Sequence, residues 1–472
     1  MLSLELCLEI LFKSMTEAYN NSLIKNNRDY YRQMVKIGFP IMMQQMIIVA
    51  VGICDTIMVG KISEEALAAV GAANQVFMVY VDSVFGFLSG VAVFSVQYWG
   101  IRDLKALRKL LGIAYSMCIA VGVPVTIIGF AFAPFFVGLF SDDPTVVLLG
   151  TQYLRISIFT YVIGALTFAV SYNSRAVAML KWPTIANAIA VALNIFLNWV
   201  LIFGKFGMPV MGVRGAATAT LIARIVEAAI TFSYIYIFSK DHPLKAKLSE
   251  MVYDMDLFKR VLRTAFPVIV NELLWVLSFT TIYAIYGDLG PVALAVVQIA
   301  MTVTDAFQAI FAGIGNGAAV IIGQDLGRGS RESAFKLAKK SLKLIWVFIV
   351  VITILLLFLR SFIVDIYDFE ESTNQLIMVT LLVFSLTLAP KMLAYFFICG
   401  IFRPGGDTMW CAWVDSGFNW ILQVPLAIIG VHVLHWELWA VIALVAMGEV
   451  MKTIACYIRF YSKKWINVVT GR

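Results

Sequence analysis

Charged side chains are scarce in this sequence. Only 14% of its 472 residues are Asp, Glu, Lys or Arg, while 61% are hydrophobic and the mean hydropathy is +0.88. Soluble globular proteins carry about 25% charged residues. The scarcity excludes a soluble domain and predicts an integral membrane protein, in which each helical span needs roughly 20 apolar residues.

Clustered metal ligands and catalytic motifs are also missing. The six cysteines are scattered without a CxxC pair, which excludes a disulfide framework and a zinc site. No HExxH or GxSxG sequence occurs, and the three histidines lie near the ends of apolar runs. The acidic pair in "SDDPT" at 141–145 has no second copy. We therefore expect no cofactor, and an intramembrane enzyme is the most remote function considered.

Long apolar runs predict twelve transmembrane helices. The runs lack the alternation of polar and apolar residues that marks a membrane β-barrel, and lipid otherwise permits only helices. The fold class is therefore an all-α polytopic membrane protein. The predicted spans are residues 35–59, 66–99, 110–138, 151–173, 183–204, 212–238, 261–287, 293–326, 343–366, 377–402, 410–431 and 437–461.

A polar stretch after the sixth span divides these helices into two sets of six. The predicted organisation is an N-terminal arm (1–34), an N-terminal six-helix bundle (35–238), a linker (239–260), a C-terminal six-helix bundle (261–461) and a tail (462–472).

Basic residues are distributed unevenly between the two sides of the membrane. With the N-terminus inside, 28 of the 36 Lys and Arg residues fall on the cytoplasmic side and four on the outer side. The positive-inside rule then predicts a multi-pass protein of the plasma (cytoplasmic) membrane with the arm, the linker and both termini cytoplasmic. The net charge of +7 mostly reflects this bias, so the lipid bilayer is an expected partner and nucleic acid is not.

The two halves of the sequence are related. Aligned without gaps from their first spans, they pair Phe39 with Phe266, Gly86 with Gly313 and Gln97 with Gln324. Further along, the register is longer by a single position and pairs Arg175 with Arg403. Because each half has six spans, both halves keep the same orientation in the membrane. This predicts a parallel repeat about an axis along the membrane normal, which in transporters places the substrate path between two bundles.

One carboxylate breaks the repeat. Asp55 lies within an apolar span, and its equivalent in the first register is Ile282. Asn194 and Asn198 are four residues apart on one helix face, and their equivalents in the longer register are leucines. The repeat packs without these polar groups, so packing does not require them. A charge at the bilayer centre costs about 2.5–3.5 kcal/mol, which favours a functional role for Asp55.

The sequence resembles the multidrug and toxic compound extrusion (MATE) family of antiporters. The resemblance covers roughly residues 30–465 and depends on "KIGFPIMMQQMIIVAVGICDTIMVGKIS", on "GVRGAATAT" at 212–220 and on "FRPGGDT" at 402–408. It implies a V-shaped pair of bundles that exports drugs or toxic compounds, driven by inward H⁺ or Na⁺ flow. The first-span acid points to the DinF-type branch.

The resemblance also implies site residues. The ion-coupling residues, and the ligands of any Na⁺, would be Asp55, Asn194 and Asn198, with Asn173, Thr218 and Thr220 as weaker candidates. Two departures weaken the Na⁺ assignment. Members of the branch often carry a second carboxylate where this chain has Asn198, and the tenth-span acid of the related C-terminal site is absent.

Further charged residues lie within the predicted spans. Arg224 and Glu227 are three residues apart on one helix face, and we expect them to pair. Glu272, Asp305 and Lys391 are candidates for a second site in the C-terminal half, and we predict that Glu272 and Lys391 pair across the cavity, either structurally or as an ionisable site.

Two transport functions therefore compete. The favoured one is secondary active efflux of lipophilic, cationic small molecules in exchange for H⁺ or Na⁺ by a monomer. The alternative is a flippase of the same superfamily for a lipid-linked or polysaccharide precursor. A flippase would line its cavity with cationic residues for a phosphorylated substrate. The interior here offers mainly Lys391 and Arg155.

Overall fold

The computed structural model describes residues 27–239, 241–367 and 370–470, and within them the regular structure is helical. Most of the predicted arm (1–34) and the last two residues of the tail lie outside the described residues. Eleven of the described helices are long and apolar enough to cross a membrane, and a bent pair of helices brings the number to twelve. The prediction of an all-α polytopic membrane protein is confirmed.

The N-terminal bundle contains α1 to α8. Their bounds are α1 Asn27–Gly60, α2 Glu64–Gly100, α3 Leu104–Ala131, α4 Ala133–Gly138, α5 Pro144–Ser157, α6 Phe159–Ala176, α7 Lys181–Phe203 and α8 Val213–Ser233, which continues as a π-helical turn, Tyr234–Phe238.

The C-terminal bundle contains α9 to α14. Their bounds are α9 Met255–Gly287, α10 Pro291–Gly327, α11 Arg331–Tyr367, α12 Glu371–Tyr395 with a π-helical continuation Phe396–Phe402, α13 Thr408–Phe418 and α14 Leu438–Ser462. Between α13 and α14 the chain stays helical through π-helical turns at Asn419–Gln423 and Ile429–Val433, which flank a short α-helical segment, Val424–Ile428.

Two predicted spans differ from the helices observed. The predicted span 110–138 is divided, because α3 ends at Ala131 and α4 follows it. The predicted span 151–173 begins early, at Pro144, as α5, and the chain bends by 45° between α5 and α6. The early start has a local cause, because Asp143 is the N-cap residue of α5. Its carboxylate accepts hydrogen bonds from the backbone N–H groups of Thr145 and Val146, and Pro144 occupies the first helical position. Hydropathy alone does not detect such a cap.

Reciprocal contacts between the bundles follow the sequence repeat. Gln97 donates to the backbone oxygen of Pro404 over 3.0 Å, and its equivalent Gln324 donates to the backbone oxygen of Ala176 over 2.8 Å. Ala176 and Pro404 are themselves equivalent in the longer register of the repeat. The two bundles are thus related by a pseudo-twofold axis, and the predicted two-bundle architecture is confirmed.

Small residues make this close approach between the bundles feasible. A Cβ atom on Gly86 would lie 2.7 Å from Ile269 Cα, and one on the equivalent Gly313 would lie 2.8 Å from Met42 Cβ. Near the ends of α2 and α10, added Cβ atoms on Gly100 and Gly327 would clash with backbone carbonyl groups of the opposite bundle. Glycine allows helix backbones to approach this closely in lipid.

The bundles separate towards the end of the molecule opposite the termini. In α1 the buried residues run from Tyr30 to Gln44, and beyond them only Val59 is buried. The contacts of α1 with α10, including Gly38 with Gly313, lie in that same buried half. A cleft between the bundles therefore opens at the end where Asp55 lies.

Candidate functional site

Asp55 meets the fifth membrane span at the open end of the N-terminal bundle. The Asp55 Oδ1 atom accepts a hydrogen bond from Asn198 Nδ2 over 2.5 Å. Asn198 is 1% exposed and Asn194 is 5% exposed, while Asp55 is half-buried. The structure therefore brings together the acid on α1 and the two amides on α7, the three residues that the family resemblance groups as ion-coupling residues.

Thr220 on α8 completes this cluster. Asn194 Nδ2 lies 3.2 Å from Thr220 Oγ1. Exchanging the positions of the Asn194 amide oxygen and nitrogen gives both atoms complementary partners: Nδ2 then donates to Asp55 Oδ1 over 3.2 Å, and Oδ1 accepts from Thr220. In that orientation two amides donate to the same carboxylate oxygen, which supports its charged form. We call Asp55, Asn194, Asn198 and Thr220 the Asp55 cluster.

The Asp55 cluster has one buried polar atom without a partner. Asn198 Oδ1 is buried and forms no hydrogen bond. Buried polar atoms are normally satisfied, so an orphan oxygen beside a carboxylate indicates room for a donor or a cation. The carboxylate, amide and hydroxyl oxygens present are the hard ligands that suit an alkali cation, and the carboxylate can equally hold a proton.

Two weaker candidates lie outside the Asp55 cluster. Asn173 is buried near the closed end, where its Oδ1 accepts from Ser95 Oγ over 2.7 Å and its Nδ2 donates to Ala169 O. The Thr218 hydroxyl donates to the backbone oxygen of Arg214, one turn earlier in its own helix. Both side chains are occupied by bonds within the N-terminal bundle, so the structure does not associate them with Asp55.

The predicted pair of Glu272 and Lys391 is wrong. Glu272 forms an ion pair with Arg403, whose side chain is 6% exposed. The sequence places Arg403 in a cytoplasmic loop, but it follows directly on the last π-helical turn of α12 and points inward. Lys391 lies twelve residues earlier, roughly 18 Å along a helix axis, and is too far from this contact to compete for Glu272.

Lys391 has a different electrostatic neighbour. The charge of Lys391 lies within electrostatic range of the Asp305 carboxylate on α10. The Asp305 side chain is exposed, and the Lys391 side chain is half-buried. Asp82 of α2, for which the sequence suggests no partner, lies within electrostatic range of Glu272 across the boundary between the bundles. The three second-site candidates thus belong to two separate groups of charges and not to one.

Sequence reasoning missed a buried charge network in the C-terminal bundle. Lys452 Nζ on α14 donates to Asp415 Oδ1 over 2.9 Å, to Asn419 Oδ1 over 2.8 Å and to Glu449 Oε1 over 3.0 Å. Asn271 Nδ2 on α9 donates to the second Asp415 oxygen. The available signal was spacing, because Asp415 and Asn419 are four residues apart and Glu449 and Lys452 are three apart.

Comparison with known proteins identifies the family. The MatE family model matches residues 40–200 and 267–429, which together make up more than half of the chain and correspond to its two halves. The chain belongs to the MatE family. The resemblance seen in the sequence is thereby confirmed, and the chain is a transporter and not an enzyme. Its assignment to the DinF-type branch stays a prediction.

Curated relatives of this MatE protein match almost its whole length. It is 26% identical over 450 residues to a protein named probable multidrug resistance protein NorM from Thermotoga maritima, covering 92% of this chain and 93% of that one. It is 23% identical to a protein named probable multidrug resistance protein YoeA from Bacillus subtilis, covering 88% and 90%.

Solved structures share the fold at low sequence identity. One is described as the outward-facing conformation of a multidrug resistance MATE family transporter, with a TM-score of 0.83 and 18% identity, covering 92% of this chain and 96% of that one. A transporter of the MOP superfamily from Pyrococcus furiosus gives a TM-score of 0.83 at 18% identity, covering 92% and 97%.

Proposed function

We propose that this MatE-family protein is a secondary active efflux transporter that exports lipophilic organic cations in exchange for H⁺ or Na⁺. The observation that carries the proposal is the Asp55 cluster, in which one half-buried carboxylate meets two buried amides inside an apolar span. An ionisable residue within a membrane span marks an ion or substrate pathway by default. A single carboxylate that takes either the coupling ion or the cationic substrate meets the basic requirement of antiport.

The named relatives support drug efflux as the direction and purpose of transport. Two of them are named as probable multidrug resistance proteins, and each matches about nine-tenths of this chain. Transport of varied lipophilic compounds also suits a chain with 20 Met and 34 Phe residues, because Met in particular adapts its shape to different ligands.

The charges of the membrane region favour a cationic substrate. Asp55 and Asp82 carry no ion pair in the described structure, whereas the Glu272 charge is compensated by Arg403. A flippase for a phosphorylated precursor would need exposed basic side chains to bind phosphate. Arg403 is unsuited to this role, because it is buried and already paired.

The positive-inside rule supports cytoplasmic termini in the plasma membrane. In that orientation the open cleft faces outward, and Asp55, five residues before the end of α1 at Gly60, lies roughly 7–8 Å from the outer end of its helix. Protons or Na⁺ arriving from outside would reach it directly. One chain contains both bundles, which supports transport by a monomer.

Everted membrane vesicles provide the test. Uptake of a fluorescent lipophilic cation would be followed under a proton gradient alone, a sodium gradient alone, and neither. The proposal predicts accumulation that depends on one of the two gradients and collapses with the matching ionophore. Accumulation of an anionic lipid-linked precursor, with no uptake of the cation under either gradient, would favour the flippase.

A further inference from the structure

The residues that follow α14 are fixed to the C-terminal bundle at the closed end of the molecule. Trp465 is fully buried, and its ring stacks on Phe460 of α14 with the ring centroids 6.1 Å apart. The Trp465 indole N–H donates to the backbone oxygen of Phe460 over 3.1 Å. Further along, the Asn467 N–H donates over 2.9 Å to the backbone oxygen of Gly405, in the turn that follows α12. The tail is therefore attached to its own bundle at two points.

The end of the tail is bound to the opposite bundle. The Val469 N–H donates to Oε1 of Gln97 on α2 over 2.8 Å, and Gln97 Nε2 donates to the backbone oxygen of Asn467 over 3.1 Å. The Val469 side chain packs against a hydrophobic cluster made mainly of residues of the N-terminal bundle. A segment that is fixed to one bundle is thus hydrogen-bonded to the other.

Gln97 directs its whole amide group across the boundary between the bundles. A primary amide has two N–H donors. Gln97 uses one towards the backbone oxygen of Pro404 and the other towards that of Asn467, while its oxygen accepts from Val469. Gln97 is fully buried, so no bond to solvent replaces these contacts while the end stays closed. Separation of the bundles at this end would break all three bonds together.

The repeat-related glutamine lacks such a segment. Gln324, the equivalent of Gln97, donates to the backbone oxygen of Ala176. The longer register of the repeat aligns the end of the tail with Ser239 and Asp241, at the start of the linker. Among the residues that the structure describes, neither of these forms a hydrogen bond with Gln324. The tail therefore adds a connection between the bundles on one side only, and the packing of the repeat does not require it.

We propose that residues 465–470 form a strap that holds this end of the molecule closed and leaves Gln97 when the bundles separate. Alternating access in transporters built from two repeats is largely a rocking of one bundle against the other. With cytoplasmic termini, the strapped end is the one that opens to admit a substrate from the cell. The strap therefore favours the arrangement in which the cleft faces outward. This inference rests on the proposed transport function.

The rate of cysteine labelling measures how often the strapped end opens. Met34 of α1 is 4% exposed, and a Cβ atom on Gly317 of α10 would lie 2.8 Å from its sulfur, so Met34 lies between the bundles. In a cysteine-free protein in nanodiscs, Met34→Cys should react with a maleimide only while the bundles are apart. Deletion of residues 467–472 should raise this rate by about tenfold, because each hydrogen bond exchanged for water shifts an equilibrium by roughly two- to tenfold.

A cysteine buried inside one bundle separates opening from general loss of stability. Cys118 on α3 is 2% exposed and lies in the core of the N-terminal bundle. When it is kept as the single cysteine, its labelling rate should not change on deletion of the strap, because the bundles move as rigid bodies. An equal rise in the labelling of Cys118 and of Met34→Cys would show that the tail only stabilises the fold, and would overturn the inference.

Single substitutions test the bond to Gln97 itself. Proline has no backbone N–H, so Val469→Pro removes the donor and should raise the labelling rate of Met34→Cys severalfold. Val469→Ala keeps the N–H and should label more slowly than Val469→Pro. In a Gln97→Ala background the deletion should add little, because its partner is already missing, whereas in a Gln324→Ala background it should keep its full effect. Equal labelling rates for the full-length and shortened proteins, or an undiminished effect of the deletion on Gln97→Ala, would overturn the inference.

Failure of the proposed function would give a different result. Efflux of tetraphenylphosphonium, a lipophilic cation, from proteoliposomes provides the second measurement. If the wild type shows no gradient-driven efflux while the shortened protein still labels faster at Met34→Cys, the strap holds the bundles together but its role in transport fails with the proposal. If the wild type transports the cation and the deletion leaves the labelling rate unchanged, only the strap is overturned.

Discussion

Lys452 shows how a buried charge depends on its partners. Lys452→Met would leave Asp415 and Glu449 buried without a counter-charge, and we expect it to lower the free energy of unfolding by about 3–5 kcal/mol. Thermal unfolding of detergent-purified protein measures the effect. The matched variant Lys452→Met/Asp415→Asn/Glu449→Gln removes all three charges and should recover most of the loss. An unchanged midpoint for Lys452→Met alone would contradict the network described here.

At this scale the sequence predicted isolated polar residues and the pairing of Arg224 with Glu227 on one helix, which is confirmed, but it missed the ion pairs that join different helices. Asp55 was recognised because its repeat equivalent is Ile282, and Asn194 and Asn198 because four-residue spacing fixes their common face. The partner of Glu272 could not be predicted, because it depends on Arg403 turning inward beyond the end of α12. Which residues meet across a bundle is decided by tertiary packing and not by spacing along the chain.

The contacts between α2 and α10 set the closed end of the molecule. A Cβ atom at Gly327 would clash with the backbone oxygen of Gln97, which cannot move without shifting a helix. We expect Gly327→Ala to lower the free energy of unfolding by about 1–3 kcal/mol, measured by thermal unfolding. Gly164→Ala on α6 is the control, because a Cβ atom there meets nothing within 4 Å. Equal unfolding midpoints for both variants would show that the helices do not pack so closely.

The linker between the bundles carries a histidine that is kept neutral. His242 is 4% exposed, its Nδ1 accepts the backbone N–H of Leu244, and burial lowers the pKa of the imidazole to about 4. The unfolded linker takes up a proton first, so local stability is complete above about pH 6.5. As the pH falls towards 4, up to roughly 3 kcal/mol should be lost.

Hydrogen exchange of residues 241–254 measures this loss, once corrected for the intrinsic effect of pH. Protection should fall between pH 6.5 and 4 in the wild type. His242→Asn keeps an acceptor for Leu244 but does not titrate, so its protection should stay level over the same range. Equal pH profiles for the two proteins would show that His242 does not control the linker.

The ends of the elements were harder to predict than their existence. Apolar runs located the spans, because each needs about 20 apolar residues. The apolar runs did not reveal where two of the helices start. Helix α5 starts at Pro144 because the Asp143 side chain caps it. Helix α9 starts at Met255 because the Asp254 side chain accepts a hydrogen bond from the backbone N–H of Leu257. Each of these two helices therefore begins with polar residues that precede its predicted apolar run.

The whole molecule is organised by its repeat, and the orientation of the repeat is open to direct test. A cytoplasmic linker and an external 141–146 loop follow from the positive-inside rule. Single cysteines placed at Lys247 and Asp142 in a cysteine-free variant should react with an impermeant maleimide from opposite sides. Labelling of both from the same side of intact cells would reject the twelve-span topology and the outward direction of the cleft.

The repeat also explains why the N-terminal bundle is the place to look for ion coupling. Both bundles keep the glycine contacts that hold them together. In the sequence repeat, however, Asp55, Asn194 and Asn198 align with apolar residues of the C-terminal half. Polar groups that one half does without are not needed for the fold. The central claim is therefore that Asp55 couples ion and substrate movement.

Gradient-driven efflux of a lipophilic cation from proteoliposomes containing Asp55→Asn tests this claim most directly. Asparagine keeps the shape and much of the hydrogen bonding but cannot titrate, so the variant should fold normally while its efflux falls to background. Asp55→Glu should retain part of the activity. Asp82→Asn, the same change at a carboxylate outside the Asp55 cluster, should keep its dependence on the gradient. Efflux by Asp55→Asn at the wild-type rate under both proton and sodium gradients would contradict the account.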